Sequence, residues 1–241
     1  MNYLDCETAT AFRDFESCDE RTKDCWTAKM RGELNRLREV DGVGIPESAQ
    51  LPILYQDKAA LYSEFNKIVC VSLGTVISKD GKQSMYIKSS SGDDEIDILK
   101  DVAKALDGKY ELCAHNGLNF DFPILCRKYM IYGLPIPSVL NGTRAKPWES
   151  PFFDTQQVWK FGDMRYTVSL DQLAMVFDLP SPKANMHGSE VGEYYWSGRL
   201  KEIVQYCELD TRTLINVHRR MVGLPIVTEM HADAPVQEKL F

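Results

Sequence analysis

The hydrophobic positions in the first part of the chain predict a three-stranded antiparallel meander. A short strand is predicted around Asp5, and the run at 68–73, apolar except for Ser72, is typical of a buried strand. Residues 85–87 follow the turn signal Lys-Asp-Gly-Lys at 79–82. This order favours a hairpin between the second and third strands.

The apolar spacing then changes to a helical period and back. Apolar residues recur at helical intervals from 96 to 106 and stop before Gly108, and a strand is predicted at 110–114. A further helix at 122–132 leads to a fifth strand that begins at 152–153. A helix between two strands is the sequence pattern of a crossover connection.

The C-terminal part predicts helices. Ser169 begins a helix with Gln172 in capping-box position, and a long helix with one apolar face is predicted from about 199 to 221. Antiparallel strands followed by alternating helices and strands are typical of a mixed sheet. We therefore expect an α/β fold with a five-stranded sheet and helices on both faces.

About fifty residues, 13–66, separate the first strand from the second. This insertion contains four apolar residues at helical spacing: Trp26, Met30, Leu34 and Leu37. A segment that contains Gly and Pro follows at 42–46. Two interpretations stay open, a flap beside a functional site and a helix that simply packs on the sheet.

Composition favours one domain inside the cell. The chain has 241 residues, 44% of them hydrophobic, and no Pro/Ser/Gly-rich stretch divides it. We expect a domain at 1–228 and an extended tail at 229–241. No apolar run approaches the ~20 residues of a membrane span, and the first residues do not resemble a secretory signal, so the expected location is cytoplasmic.

The seven cysteines argue against two further classes of protein. Their number is odd, and no Cys-x-x-Cys pair occurs. A disulfide framework and a zinc site are therefore both disfavoured.

Charge is unevenly distributed. The net charge is −7, which disfavours a broad nonspecific interface with duplex DNA. The stretch 127–165 is nevertheless net +3, with three anions against six cations: Arg127, Lys128, Arg144, Lys146, Lys160 and Arg165. This stretch is either a basic track beside an acidic centre or an ordinary face of mixed charge.

Three local signatures carry the candidate chemistry. Asp5 and Glu7 lie two positions apart on the first strand, so both side chains leave the same face. Asp121 follows Asn-Gly-Leu-Asn-Phe, and Tyr206 precedes Asp210 by one helical turn. Four carboxylates brought together repel one another unless cations lie between them. Oxygen ligands without His or Cys indicate two divalent cations, Mg²⁺ or Mn²⁺.

These signatures resemble the Exo I, Exo II and Exo III motifs of the DnaQ-like 3′–5′ exonucleases, which have a ribonuclease H-like fold. Gln205 stands where the histidine subclass has its His, whereas Tyr206 matches the tyrosine subclass, called DEDDy. The segments 169–174, 185–189 and 206–211 are similar to the bacterial group related to the exonuclease domain of family-B DNA polymerases.

The resemblance implies a two-metal phosphodiesterase that removes nucleotides from single-stranded 3′ ends, DNA more readily than RNA, in repair or replication. It implies that Tyr206 orients the attacking water and that four residues hold the metals: Asp5, Glu7, Asp121 and Asp210. It also implies that Thr8 and Asn116 contact the terminal nucleotide and that Phe120, and less directly Phe12, stack on bases. An exoribonuclease and a catalytically silent nucleic-acid-binding module stay open as alternatives.

The C-terminal residues form a separate motif. Gln237, Leu240 and Phe241 resemble the Gln-x-x-Leu-Phe peptide by which bacterial replication proteins dock on the sliding clamp. An amide that sets register beside two apolar side chains that fill a pocket suits such docking. The alternative is that Leu240 and Phe241 fold back onto the core.

Overall fold

A computed structural model describes residues 3–41, 47–107, 111–144, 150–163, 165–180 and 186–231. The described residues form five strands: β1 (Tyr3–Phe12), β2 (Asn66–Lys79), β3 (Lys82–Ser91), β4 (Glu111–Ala114) and β5 (Phe153–Asp154). They lie in the order β3-β2-β1-β4-β5. The first three strands are antiparallel, and β4 and β5 continue the sheet in parallel with β1. The predicted mixed five-stranded sheet is confirmed.

Helices cover both faces of this sheet. Their bounds in the described part of the chain are α1 (Glu20–Asp41), α2 (Glu47–Lys58), α3 (Glu95–Ala105), α4 (Asp121–Ile131), α5 (Thr155–Lys160), α6 (Leu170–Val176), α7 (Val191–Trp196) and α8 (Leu200–Met221). None of the described helices is long and apolar enough to cross a membrane.

Local signals account for several of these elements. Asp80 and Gly81 both have positive φ, as a two-residue hairpin turn between β2 and β3 requires. Ser169 caps α6, and its side chain and that of Gln172 form the predicted capping box.

Strand β1 is longer than predicted because it runs through the centre of the sheet. Leu4 and Cys6 belong to the main core beneath α3 and α4, whereas Ala9 and Ala11 pack with residues of α7 and α8. The strand carries a register shift between Ala9 and Thr10. Polar residues within it are buried by neighbouring elements, so simple alternation underestimates its length.

Helix α8 lies unusually close to the sheet at Gly74 of β2. A Cβ atom built on Gly74 would lie 2.6 Å from Thr211 Cγ2 and 3.0 Å from Ile215 Cδ1. Gly74 pairs with Asp5 across the sheet. The missing side chain therefore lets the C-terminal helix approach the strand that carries Asp5 and Glu7.

The insertion between β1 and β2 forms its own small core. Trp26 is fully buried and packs edge-on against Tyr55 and Phe65, and Met30 and Leu34 belong to the same cluster. Of the two interpretations, these contacts favour a packing helix.

One member of the predicted basic track is not on the surface. Lys128 is fully buried, its ammonium lies 2.9 Å from Glu95 Oε1, and it donates to the Asn66 carbonyl at 2.6 Å. Burial without partners would be costly for either charge, so the pair ties α4 to α3. The prediction of a six-cation track is wrong for Lys128.

The last described residues lie against the edge of the sheet. Met85 donates to Glu229 O, and His231 donates to Met85 O, both at 2.8 Å. The clamp-like residues Gln237, Leu240 and Phe241 lie outside the described residues.

Candidate active site

Three of the predicted carboxylates converge from three elements. Glu7 projects from β1, Asp121 begins α4, and Asp210 lies on α8. Burial raises the pKa of Glu7 well above its usual range, and the charges of Asp121 and Asp210 add to this rise. Asp121 and Asp210 therefore both lie within electrostatic reach of Glu7.

Burial also raises the pKa of each of the other two carboxyl groups to about 7. The rise in the pKa of Asp121 is partly offset, because its Oδ1 accepts the Thr8 backbone N–H at 2.9 Å. A hydrogen bond from the Tyr206 hydroxyl likewise offsets part of the rise at Asp210. Raised pKa values in a group of buried acids mean that positive charge is missing from their surroundings. Oxygen donors of this kind fit Mg²⁺ or Mn²⁺.

Tyr206 lies beside Asp210 as the helical spacing predicts. Burial raises its pKa above the usual range, and the negative charges of Asp210 and Glu7 raise it further. The phenol is therefore neutral and acts as a hydrogen-bond donor at ordinary pH. Gly188 lies beside the hydroxyl, because a Cβ built there would be 3.6 Å from the Tyr206 oxygen.

An open groove of about 450 Å³ leads to the acids. Glu7 and Asp121 line it, together with Asn116 and Phe120 from the loop before α4. Two predicted nucleic-acid-binding residues thus lie beside two predicted metal ligands. Residues 167–170 and Gln172 also line the groove, and in the sequence this segment is marked by the capping box and by the resemblance of 169–174 to the polymerase-related group.

Thr8 and Phe12 are placed differently. Thr8 is buried, and its backbone N–H holds Asp121. Phe12 packs against Trp196, whose indole donates to the Phe12 carbonyl at 2.9 Å. Both positions favour packing roles over direct contact with a nucleotide.

Asp5 does not join the other three acids. It is buried on the same face of β1, but its carboxylate lies with Cys113 and His218, their potential ligand atoms all within 4.8 Å of one another. Burial raises the Asp5 pKa to about 7, while Cys113 and Arg219 oppose the rise. Its Oδ1 has no hydrogen-bond partner among the described residues and borders a cavity of about 310 Å³.

Two residues outside the three signatures shape the groove. His115 lines it and links Val168 to the start of α5, with Nδ1 2.8 Å from Thr155 Oγ1 and Nε2 2.9 Å from the Val168 carbonyl oxygen. Asp154 caps α5 and also bonds to the Asn116 loop.

Comparison with known proteins identifies the fold and the family of the chain. No match is found among curated protein sequences. In fold, the chain is similar to the family B DNA polymerase from the hyperthermophilic archaeon Pyrobaculum calidifontis, with a TM-score of 0.52 and 13% identity over 92% of this chain. The chain spans 24% of that polymerase. This likeness confirms the ribonuclease H-like fold.

A sequence family also matches residues 60–225, more than half of the chain. The match includes the Asp121 and Asp210 signatures and begins after Glu7. The chain belongs to the family of predicted 3′–5′ exonucleases related to the exonuclease domain of PolB.

Proposed function

We propose that the protein removes nucleotides from the 3′ ends of single-stranded DNA with the help of two divalent cations. The observation that carries this proposal is that Glu7 lies within electrostatic reach of Asp121, Asp210 and Tyr206 and lines an open groove together with Asp121. Bound cations would activate a water molecule and stabilise the departing 3′ oxygen. A role in DNA repair or replication is consistent with this activity.

The cations would be held by Glu7, Asp121 and Asp210. The raised pKa of Glu7, to which the charges of Asp121 and Asp210 contribute, supports this, because a cation relieves the same repulsion that a proton relieves. Asp5 is proposed as the fourth ligand from its motif and its position on the same face of β1. Its contacts with Cys113 and His218 give it less direct support than the other three acids have.

Tyr206 would orient the attacking water. Its raised pKa makes it too weak an acid to ionise, so the phenol cannot act as a general base. As a neutral hydroxyl held by Asp210, it can hydrogen-bond a water molecule in a fixed direction. Asn116 and Phe120 would contact the terminal nucleotide from the loop side of the groove.

Single strands are proposed as the preferred substrate because few cations are available for binding a duplex. The chain carries a net charge of −7, and Lys128 is withdrawn from the basic stretch by its buried contact with Glu95. Little binding energy then remains to unpair a duplex end. An exoribonuclease with the same chemistry is the alternative, since the discrimination depends on contacts around the 2′-hydroxyl.

The test uses matched DNA and RNA oligonucleotides labelled at the 5′ or the 3′ end, each single-stranded or in a blunt duplex, with Mg²⁺, Mn²⁺ or EDTA. We expect release of mononucleotides from the 3′ end of single-stranded DNA with either metal and none with EDTA. Faster loss of RNA would replace the DNA proposal by the alternative. Failure to cut any of these substrates would overturn the proposed activity.

A further inference from the structure

The side chain of Asp154 makes more bonds than a helix cap needs. Its Oδ1 accepts the backbone N–H groups of Gln156, Gln157 and Asn116 at 3.0, 3.1 and 3.1 Å. Its Oδ2 accepts the Leu118 N–H at 3.1 Å. The carboxylate is only 2% exposed, so water does not compete for these bonds.

Two other capping side chains in the described part of the chain bond within their own helices. Asp94 accepts the N–H of Ile96 in α3, and Ser169 accepts that of Gln172 in α6. Two of the four Asp154 bonds instead reach a loop that lies 36 and 38 positions earlier in the chain. Helix capping explains half of the side chain's bonds and leaves the other half to be explained.

The loop that Asp154 holds has a backbone of limited stability. Asn116 has a φ of 60°, a left-handed conformation that is uncommon for residues other than glycine. Gly117 follows, and a Cβ atom there would lie 2.3 Å from the Ala114 Cβ, so the turn is tight against the end of β4. Such a turn persists when the surrounding structure fixes it.

The same loop delivers groups to the groove. Asn116 and Phe120 line the groove directly, and the loop ends at Asp121, the first residue of α4. A shift of the loop therefore moves one proposed metal ligand and two proposed nucleotide contacts together. Displacements of about 1 Å at reacting groups can reduce rates by about 100-fold.

We propose that Asp154 is a positioning residue that ties the Asn116–Asp121 loop to the start of α5 and thereby holds Asp121 and Asn116 in their working positions. It touches neither the substrate nor a metal, and it acts through the loop. The proposal rests on the proposed nuclease function for its effect on catalysis. Its effect on the loop itself can be measured without any activity.

Two variants of Asp154 and one control separate its bonds to the start of α5 from its bonds to the Asn116–Asp121 loop. Asp154→Ser keeps a good cap for α5 but is too short to reach the loop. Asp154→Asn keeps an acceptor oxygen for three of the bonds and turns an amide N–H₂ group toward the Leu118 N–H. Asp94→Ser is the matched control, because it shortens a cap at α3, whose bonds stay within that helix.

Hydrogen exchange at the Asn116 and Leu118 amides measures the loop directly. We expect at least about 10-fold faster exchange at both amides in Asp154→Ser and mainly at Leu118 in Asp154→Asn, with no change in Asp94→Ser. On single-stranded DNA, kcat should fall about 10- to 100-fold in Asp154→Ser with a smaller change in KM, and Asp154→Asn should recover part of the loss. The Mn²⁺ concentration for half-maximal rate should rise in parallel.

Unchanged exchange at Asn116 and Leu118 in Asp154→Ser would overturn the proposal, and so would a wild-type kcat together with faster exchange. If the wild-type protein cuts nothing, the proposed function fails, while the exchange experiment still decides whether Asp154 holds the loop. If Asp154→Ser does not fold, Asp154→Asn provides the same test through the Leu118 amide.

Discussion

Replacing Asp210 by Asn should stabilise the metal-free protein at high pH while it removes activity. Asp210 is 7% exposed, and burial raises the pKa of its carboxyl from 3.8 to about 7. Its ionised form also raises the pKa of Glu7. Asparagine has nearly the same shape and carries no charge, so the substitution removes the repulsion and leaves the packing in place.

The sign follows from the direction of the shift. A carboxyl group whose pKa is higher in the folded than in the unfolded state favours folding at low pH, and this contribution is lost as the pH rises from about 4 through about 7. The difference between the pKa of Asp210 in the folded and unfolded states corresponds to at most about 4 kcal/mol in the free energy of unfolding. A weaker hydrogen bond from Tyr206 to the asparagine oxygen offsets about 1 kcal/mol of this. We expect a net gain of about 2–3 kcal/mol at pH 8 and under about 1 kcal/mol at pH 5.

Thermal unfolding in EDTA at the two pH values measures this effect. For a chain of this size, about 1 kcal/mol shifts the midpoint by about 2–4 °C, so Asp210→Asn should unfold about 5–10 °C above wild type at pH 8. Mn²⁺ should raise the wild-type midpoint and raise that of the variant less. Asp97→Asn is the control, because its carboxylate is exposed beside Lys100 and should change stability by under about 1 kcal/mol.

An Asp210→Asn midpoint at or below wild type at pH 8 in EDTA would refute the argument. So would an equal gain at pH 5 and pH 8, because the stabilisation would then have a cause other than charge. Retained nuclease activity in this variant would remove Asp210 from the proposed metal site.

Three further predictions test the site and its support. Tyr206→Phe should keep Mn²⁺ binding but lower kcat by about 10-fold or more, measured in single-turnover reactions, because only the orienting hydroxyl is lost. Lys128→Met should lower the free energy of unfolding in urea by about 3–5 kcal/mol, because it removes the closest cation from buried Glu95 and leaves the 3.8 Å contact with Arg13 as its ion pair among the described residues. Gly74→Ala should cost about 1–3 kcal/mol and reduce activity, because its Cβ pushes Thr211 and the helix that carries Asp210 away from the sheet. Adding Thr211→Ser, which removes the contacting methyl group, should restore both.

Each of these has a result that contradicts it. A Tyr206→Phe rate equal to wild type at every pH would exclude the orienting role. If Lys128→Met cost no more than the exposed control Lys100→Met, the buried pair would not contribute as argued. If Thr211→Ser failed to rescue Gly74→Ala, the loss would not arise from the contact at that methyl group.

Much of the fold was readable from the sequence because its signals are local. The turn at Asp80 and Gly81, the capping box at Ser169 and the apolar face of α8 each depend on residues within a few positions of one another. Local spacing also placed Tyr206 beside Asp210, since four residues make one helical turn. These features predicted the sheet, its helices and one edge of the site.

Tertiary structure alone decided how distant segments meet. Asp5 and Glu7 share a face of β1, yet Glu7 meets Asp121 and Asp210 while Asp5 meets Cys113 and His218. Spacing on one strand cannot predict this, because each neighbour depends on strand register and on how closely α8 approaches the sheet.

The same reason applies to the charges that the sequence placed on the surface or in a cap. Lys128 is buried because Glu95 and the Asn66 carbonyl lie where α4 crosses the sheet. Asp154 holds the Asn116 loop because β5 ends beside β4. The sequence determined which residue types were available for these contacts. Packing between elements far apart in the chain decided which of them became partners, because a buried charge is stable only where the fold supplies its counterpart.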